Sequence, residues 1–377
     1  MKAKRIYPPG LNALRFFAVT LVILHYLEQY KSWGNHKSLW GRSLIDALVY
    51  KPVSLFFVLS GFLITYLLLE VNRDKQSINI KQFYLKRICG IWPLYFLVVI
   101  IALTIIPMFS GIAFGHMPSP NSPILLISLI LILPNLLRVS FPTLIGANQL
   151  WSVGIEGQFY LIWPLLVKRF EKNIIAFLFV FIFLKIAVHM LMLYGLSISS
   201  APWLMKLEML YALFPVEQMA AGALGASFLF YKKESILKYM EKPYIGLLAL
   251  VLIIGDSFMY LGHFLAPMIE GILLMIIIYQ VTIHKRIYKP LENSALDDLG
   301  SISFGIYIWH TFAITISITA MKVLDWNSSL TVCLLNLAIT LLPSHLSYKY
   351  LGKPAQKLRS YFIVYRETIT FSTTTNA

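Results

Sequence analysis

The chain has 377 residues, of which 58% are hydrophobic and only 13% charged, with a formal net charge of +15. A mean hydropathy of +0.72 excludes an ordinary soluble domain, because runs long enough to cross a bilayer, about 20 mostly apolar residues each, recur from end to end. The positive charge does not point to nucleic acid, since the basic residues gather in short loops between apolar runs, as the positive-inside rule produces.

The first apolar run, LNALRFFAVTLVILHYLEQY at 11–30, follows Lys2, Lys4 and Arg5. It has no small-residue cleavage site behind it, so it reads as a retained span rather than a removed signal. Arg15, His25 and Glu28 lie inside it. Ionisable groups within a span are costly and face a protein interior or a polar cavity. A histidine can also exchange a proton near neutral pH. Arg15 and His25 are ten residues apart, about 15 Å along a helix and about 80° apart around it. His25 and Glu28 form an i, i+3 pair, so Glu28 can orient the imidazole or raise its basicity.

Further runs follow at 53–70, 91–112, 123–137, 150–167, 173–195, 207–230, 243–261, 264–283, 301–322 and 329–348. The run at 123–137 is short and is flanked by Pro118, Pro120, Pro123 and Pro134. It suits a re-entrant or interfacial segment better than a crossing. With that segment left on the outer side, 23 of the 32 Lys and Arg fall on the cytoplasmic side. The fold class is therefore all-α, a polytopic membrane bundle of about ten transmembrane helices with both termini cytoplasmic. Residues 1–366 read as one integral-membrane domain and 367–377, rich in Thr, as a disordered tail.

This topology sorts the polar residues by depth. The segment LWSVGIEGQFYLIWP, starting at Leu150, enters from outside, so Trp151, Ser152 and Glu156 share the outer half with His25, and Tyr160 follows. Lys81, Lys86 and Arg87 stand at the cytoplasmic start of another span, where fixed cations suit a phosphate-bearing ligand. Tyr307 and His310 make a second i, i+3 polar pair. Ser60 and Gly61 read as small residues that let helices approach closely. Lys185, His189, Glu208, Glu217, Asp256 and Glu270 also lie in or beside spans. Proton-coupled carriers use such residues, which keeps open a second reading as an exporter or flippase of an envelope saccharide. Cys89 and Cys333 have no metal-ligand spacing, and no metal is expected.

Five strings in order resemble the acyltransferase 3 family of bacterial integral-membrane O-acyltransferases. They are LNALRFFAVTLVILH at 11–25, SLFFVLSGFLIT at 54–65, FYLKRICGIWPLY at 83–95, LWSVGIEGQFYLIWP at 150–164 and FGIYIWH at 304–310. The resemblance implies an O-acetyltransferase of the bacterial inner membrane acting on a saccharide or lipid-linked saccharide. His25 would be the catalytic histidine, aided by Glu156. Arg15, Arg87 and Lys86 would handle acyl-CoA, most simply acetyl-CoA, as cosubstrate rather than as a resident cofactor. Glu28, Trp151, Ser152, Tyr160 and His310 would line or support the acceptor site. Direct transfer and a covalent acyl-enzyme both remain open. Two positions depart from the family pattern: Gly90 stands where a second arginine is common, and Gly352 where a glutamate often precedes a Lys/Arg-Pro pair. The soluble esterase-like domain that some relatives carry is not expected here.

Overall fold

The computed structural model describes residues 10–34, 36–39, 51–73, 79–114, 123–137, 145–256, 265–284, 289–291, 293–325 and 329–355. The proposed tail at 367–377 lies outside them. Among the described residues the chain is helical and has no strand. Apolar sequence in a bilayer must satisfy its backbone polar groups internally, and helices do this within one segment.

The helices in chain order are α1 (Leu11–Trp33), α2 (Lys51–Arg73), α3 (Ile80–Thr104), α4 (Ile106–Phe114), α5 (Pro123–Ile130), α6 (Pro134–Leu137), α7 (Leu150–Phe170), α8 (Ile174–Ile198), α9 (Pro202–Ala212) and α10 (Val216–Phe230). After these come α11 (Glu234–Met240), α12 (Pro243–Asp256), α13 (Ala266–Ile283), α14 (Ser294–Ser301), α15 (Ser303–Val323) and α16 (Ser329–Ser347), which runs into a π-helical turn at Tyr348–Gly352. Eight stretches are long and apolar enough to cross a membrane. One of them, Leu150–Ile198, has 49 residues, about twice what a crossing needs. The 3₁₀ turn Glu171–Asn173 divides it into α7 and α8. With the shorter apolar helix at Pro243–Gly255, ten candidate spans result.

Proline and turn chemistry set boundaries that hydropathy alone blurs. The run at 207–230 breaks before Pro215, separating α9 from α10. The run at 91–112 breaks before Pro107, separating α3 from α4. The segment 123–137 is α5 and α6 joined by a turn with Ile132 at φ 59°. Eight residues of α5 rise only about 12 Å, too little to cross. Tyr95 donates to the Leu129 carbonyl at 3.0 Å, and Asn135 and Gln158 exchange amide hydrogen bonds. These contacts tie the segment to α3 and α7.

Helix α10 sits at the centre, buried along nearly its whole length. Its small residues explain why. A Cβ at Gly222 would lie 2.0 Å from the Val58 carbonyl oxygen, and one at Gly61 would lie 1.9 Å from that of Met219. Helices α2 and α10 therefore touch backbone to backbone. Pairings fix the directions. Ser54 meets Gln218 and Phe62 faces Gly225, so α2 and α10 are parallel. Ser60 meets Glu156 and Thr65 meets Trp163, so α7 runs the same way. Asn12 lies against Gly300 and Tyr26 against His310, so α1 and α15 are parallel to each other. One end of the bundle thus gathers Arg15, Arg73, Lys81, Lys86, Arg87, Lys168, Arg169 and Lys172, while Lys31, Lys37 and Lys51 lie at the other.

Candidate active site

At the basic end, α1, α2, α3, α7 and α15 enclose a cavity of about 310 Å³. Arg15 enters it from α1, Lys86 and Arg87 from α3, and Ser152, Glu156 and Tyr160 from α7. Six of the ten residues singled out from the sequence therefore line one space, although they come from three segments up to 145 positions apart in the chain. The spacing on α7 is the reason three of them coincide. Residues 152, 156 and 160 recur every four positions, so they stack on one face of the helix.

Glu156 is the polar centre of that face. Its carboxylate accepts from Ser60 Oγ at 3.0 Å and from Tyr160 Oη at 3.0 Å. Tyr160 Oη also lies 3.2 Å from Ser60 Oγ. The Arg87 guanidinium is 4.9 Å from the centroid of the Tyr160 ring and 5.4 Å from that of Phe83. Stacking of this kind holds a planar cation in place without neutralising it. Among the described residues no carboxylate lies within ion-pair distance of Arg87. Three cations facing one cavity, with one carboxylate deeper in, make a space that attracts an anion at its mouth.

Further from the basic end, the cavity is bounded by a hydroxyl pair. Ser152 Oγ and Tyr307 Oη are 2.6 Å apart, and each also reaches the Gln149 carbonyl, at 3.1 and 3.2 Å. One turn beyond Tyr307 on α15 stands His310, fully buried. The Tyr307 carbonyl lies 2.5 Å from His310 Nδ1, and among the described residues Nε2 has no hydrogen-bond partner. The His310 ring is 5.5 Å from that of Tyr307 and 5.0 Å from that of Tyr26. His25 is beside Tyr26 on α1, 7% exposed, and close enough to His310 to interact with it electrostatically. The two histidines thus form a buried group behind the hydroxyl pair. Parallel packing of α1 on α15 brings them together, since each helix carries its histidine some distance from the basic end.

The remaining sequence candidates sit around this core. Trp151 packs edge-on against Phe57, 6.0 Å between centroids, and Phe57 itself faces the cavity. The Glu28 carboxylate receives Lys31 Nζ at 2.8 Å, Ser38 Oγ at 3.1 Å and the Leu39 amide at 2.6 Å. Those bonds fasten the segment after α1 to the helix end. Lys185, His189, Glu208 and Glu217 associate with one another between α8, α9 and α10, at 3.7 Å for Lys185–Glu217 and 3.1 Å for His189–Glu208.

Ser60, which reads from the sequence as a packing residue, anchors Glu156 through its hydroxyl. Nothing in the apolar string around it distinguishes a serine that faces a carboxylate from one that faces a helix. Tyr307 was visible only as half of a polar pair. Gln149 carried no signal, although its amide donates to the Ile308 carbonyl at 2.6 Å and accepts from Thr311 at 2.6 Å, fastening the start of α7 to α15.

The chain is 25% identical over 388 residues to a Listeria monocytogenes protein named peptidoglycan O-acetyltransferase OatA, covering 94% of this chain and 56% of that one. It is 26% identical over 387 residues to a Staphylococcus aureus protein named "Putative O-acetyltransferase SAS0844", covering 94% of this chain and 58% of that one. A Bacillus subtilis protein named "Putative peptidoglycan O-acetyltransferase YrhL" is 25% identical over 384 residues, with 94% and 56% covered. The chain thus spans little more than half the length of these relatives. No solved structure matches it. The family model described as Acyltransferase domain matches residues 9–345, and by that match the chain belongs to the acyltransferase 3 family.

Proposed function

We propose that this chain is an O-acetyltransferase that takes an acyl group from cytoplasmic acyl-CoA and delivers it to a hydroxyl of a cell-envelope saccharide. The observation that carries the reading is the cavity at the basic end, where Arg15, Lys86 and Arg87 face one space whose far wall adjoins a buried histidine pair. The family match and the relatives' names support acyl transfer, and two of those names make peptidoglycan the leading acceptor.

In this reading the phosphates of the donor meet the cations, and the pantetheine arm extends past Glu156 toward Ser152 and Tyr307. The distance of about 15 Å from Arg15 to His25 along α1 suits an extended arm. The acceptor arrives from the opposite face. His25 withdraws its hydroxyl proton, the oxygen attacks the thioester carbonyl, the C–O bond forms and the C–S bond breaks. The proton on His25 then passes to the departing CoA thiolate. Glu156, held by Ser60 and Tyr160, orients the reacting groups.

General-base assistance is typically worth about 10²–10⁴-fold. Replacing His25 with alanine is therefore expected to lower transfer by that factor at unchanged protein level. The measurement is base-labile acetyl on envelope glycan in cells carrying the wild type or the variant. Full acetylation with His25→Ala would remove His25 from the chemistry.

A further inference from the structure

A second cavity, of about 160 Å³, adjoins the first and shares Gly90, Ser301 and Phe304 with it. It lies between α3, the start of α15 and the end of α16, and its walls include Cys89, Pro93, Phe304 and Tyr348. Three observations bear on what it holds. Gly90 lines both cavities, and a Cβ built there meets nothing within 4 Å, so no neighbouring group crowds that shared wall. The helix end that closes the space is π-helical, and Tyr348, Leu351 and Gly352 from that turn line it. Single π turns recur at functional sites. Finally, Lys353 Nζ is 5.6 Å from the ring centroid of Tyr348, a wall residue, while Lys86 and Arg87 line the adjoining cavity.

We infer that this side cavity binds the nucleotide end of the acyl-CoA donor, with the adenine between Phe304 and Tyr348 and the phosphates between Lys353 and the Lys86–Arg87 pair. The inference rests on the proposed acyl-CoA reading. The alternative tenant within the donor, the acyl chain, is excluded by direction. Transfer at His25 sends the thioester toward the histidines, whereas this cavity lies toward the basic end, beside the first turn of α15. His310 lies seven residues further along that helix, about 10 Å away. The chemistry of the walls agrees. Aromatic rings and a few hydroxyls suit a planar heterocycle, and the flanking cations suit its phosphates. Gly90 then acquires a role: a large side chain there would separate the nucleotide slot from the channel that leads to the histidines.

Cys89 provides the test, because it lines the side cavity and not the main one. Adenosine 3′,5′-bisphosphate, which has neither thiol nor thioester, is expected to slow maleimide labelling of Cys89 in the purified protein in liposomes, with Cys333 labelling as the internal reference. Acetyl-pantetheine, which has no nucleotide, is expected to leave Cys89 labelling unaffected. Filling the cavity by Cys89→Phe is expected to lower the ratio of kcat/KM for acetyl-CoA to kcat/KM for acetyl-pantetheine about tenfold. Cys89 labelling indifferent to the bisphosphate, or a ratio that Cys89→Phe does not move, overturns the assignment. Labelling that is slow in liposomes and fast in detergent, with no effect of the bisphosphate in either, assigns the cavity to a lipid chain instead. A wild-type protein that uses neither thioester defeats the acyl-CoA reading itself. One that uses both with equal efficiency leaves that reading standing and defeats only the nucleotide slot.

Discussion

At the scale of single residues, Arg87 and Glu156 differ in how they are held, and the difference separates their expected roles. Arg87 is positioned by two aromatic faces, so its charge remains available to a ligand. Replacement by lysine keeps the charge but loses the planar stacking and the paired donors. Arg87→Lys is expected to raise KM for acetyl-CoA about tenfold with a smaller change in kcat, and Arg87→Ala to raise it further. An equal fall in kcat and kcat/KM would instead place Arg87 in the transition state. Glu156 is positioned by hydroxyls that its carboxylate accepts from, so it can retain its place as an amide but not its charge. Glu156→Gln is expected to lower kcat more than it raises KM, measured in the same assay. His25, Arg15 and Glu156 were legible in the sequence because each is an ionisable group in an apolar run, where its cost demands a reason. The partners of Ser60 and Tyr307 were not, because a serine hydroxyl in a helix can bond its own backbone and a tyrosine in an apolar span reads equally as an interface aromatic. Only the register of α2 and α15 against α7 gives these two a partner.

At the scale of helices, two glycines test how tightly the elements are specified. Gly222 lies where α10 meets α2 backbone to backbone, so any side chain there must push the helices apart. Overpacking a core costs typically about 1–3 kcal/mol and more when the neighbour cannot yield. Here the group that an added Cβ would run into is the Val58 backbone carbonyl, which cannot rotate away as a side chain could. Gly222→Leu is expected to lower the thermal midpoint in detergent sharply and to reduce the amount of folded protein. Gly90 is the contrast, in the middle of α3 with open space around it. Gly90→Ala is expected to raise stability by about 0.5–1 kcal/mol, the usual gain for removing a helical glycine. If both variants behaved alike, the close approach of α2 and α10 would not be the feature that organises the centre. Hydropathy located the long apolar helices but treated α3 and α4 as one, and α9 and α10 as one, and passed over the short α11 and α14. The break between α9 and α10 lies at Pro215, and the burial of α10 follows from its small residues, which a hydropathy count does not weigh. The short segment at 123–137 was legible as non-crossing because its length and its prolines speak to backbone reach rather than to packing.

At the scale of the molecule, the asymmetry of charge and the position of the cavity are one statement. The helix starts that carry Arg15, Lys86 and Arg87 share an end with the helix finishes that carry Arg73, Lys168 and Arg169. Positive residues near span ends are retained on the cytoplasmic side, which is also where acyl-CoA is made. If that end faces the cytoplasm, the donor enters at the cations and the histidines lie nearer the side where envelope saccharide is found. Single cysteines at two positions test this, in a background with Cys89 and Cys333 replaced by serine. Lys37→Cys, at the end opposite the cations, is expected to react with a membrane-impermeant maleimide on intact cells. Lys232→Cys, just after α10 at the basic end, is expected to react only after the membrane is opened. The reverse pattern would turn the cavity mouth outward and separate it from cytoplasmic acyl-CoA. The residue-scale results would then have to be explained by an anionic ligand from outside the cell. The topology experiment therefore decides whether Arg15, Lys86 and Arg87 can serve as a donor site at all.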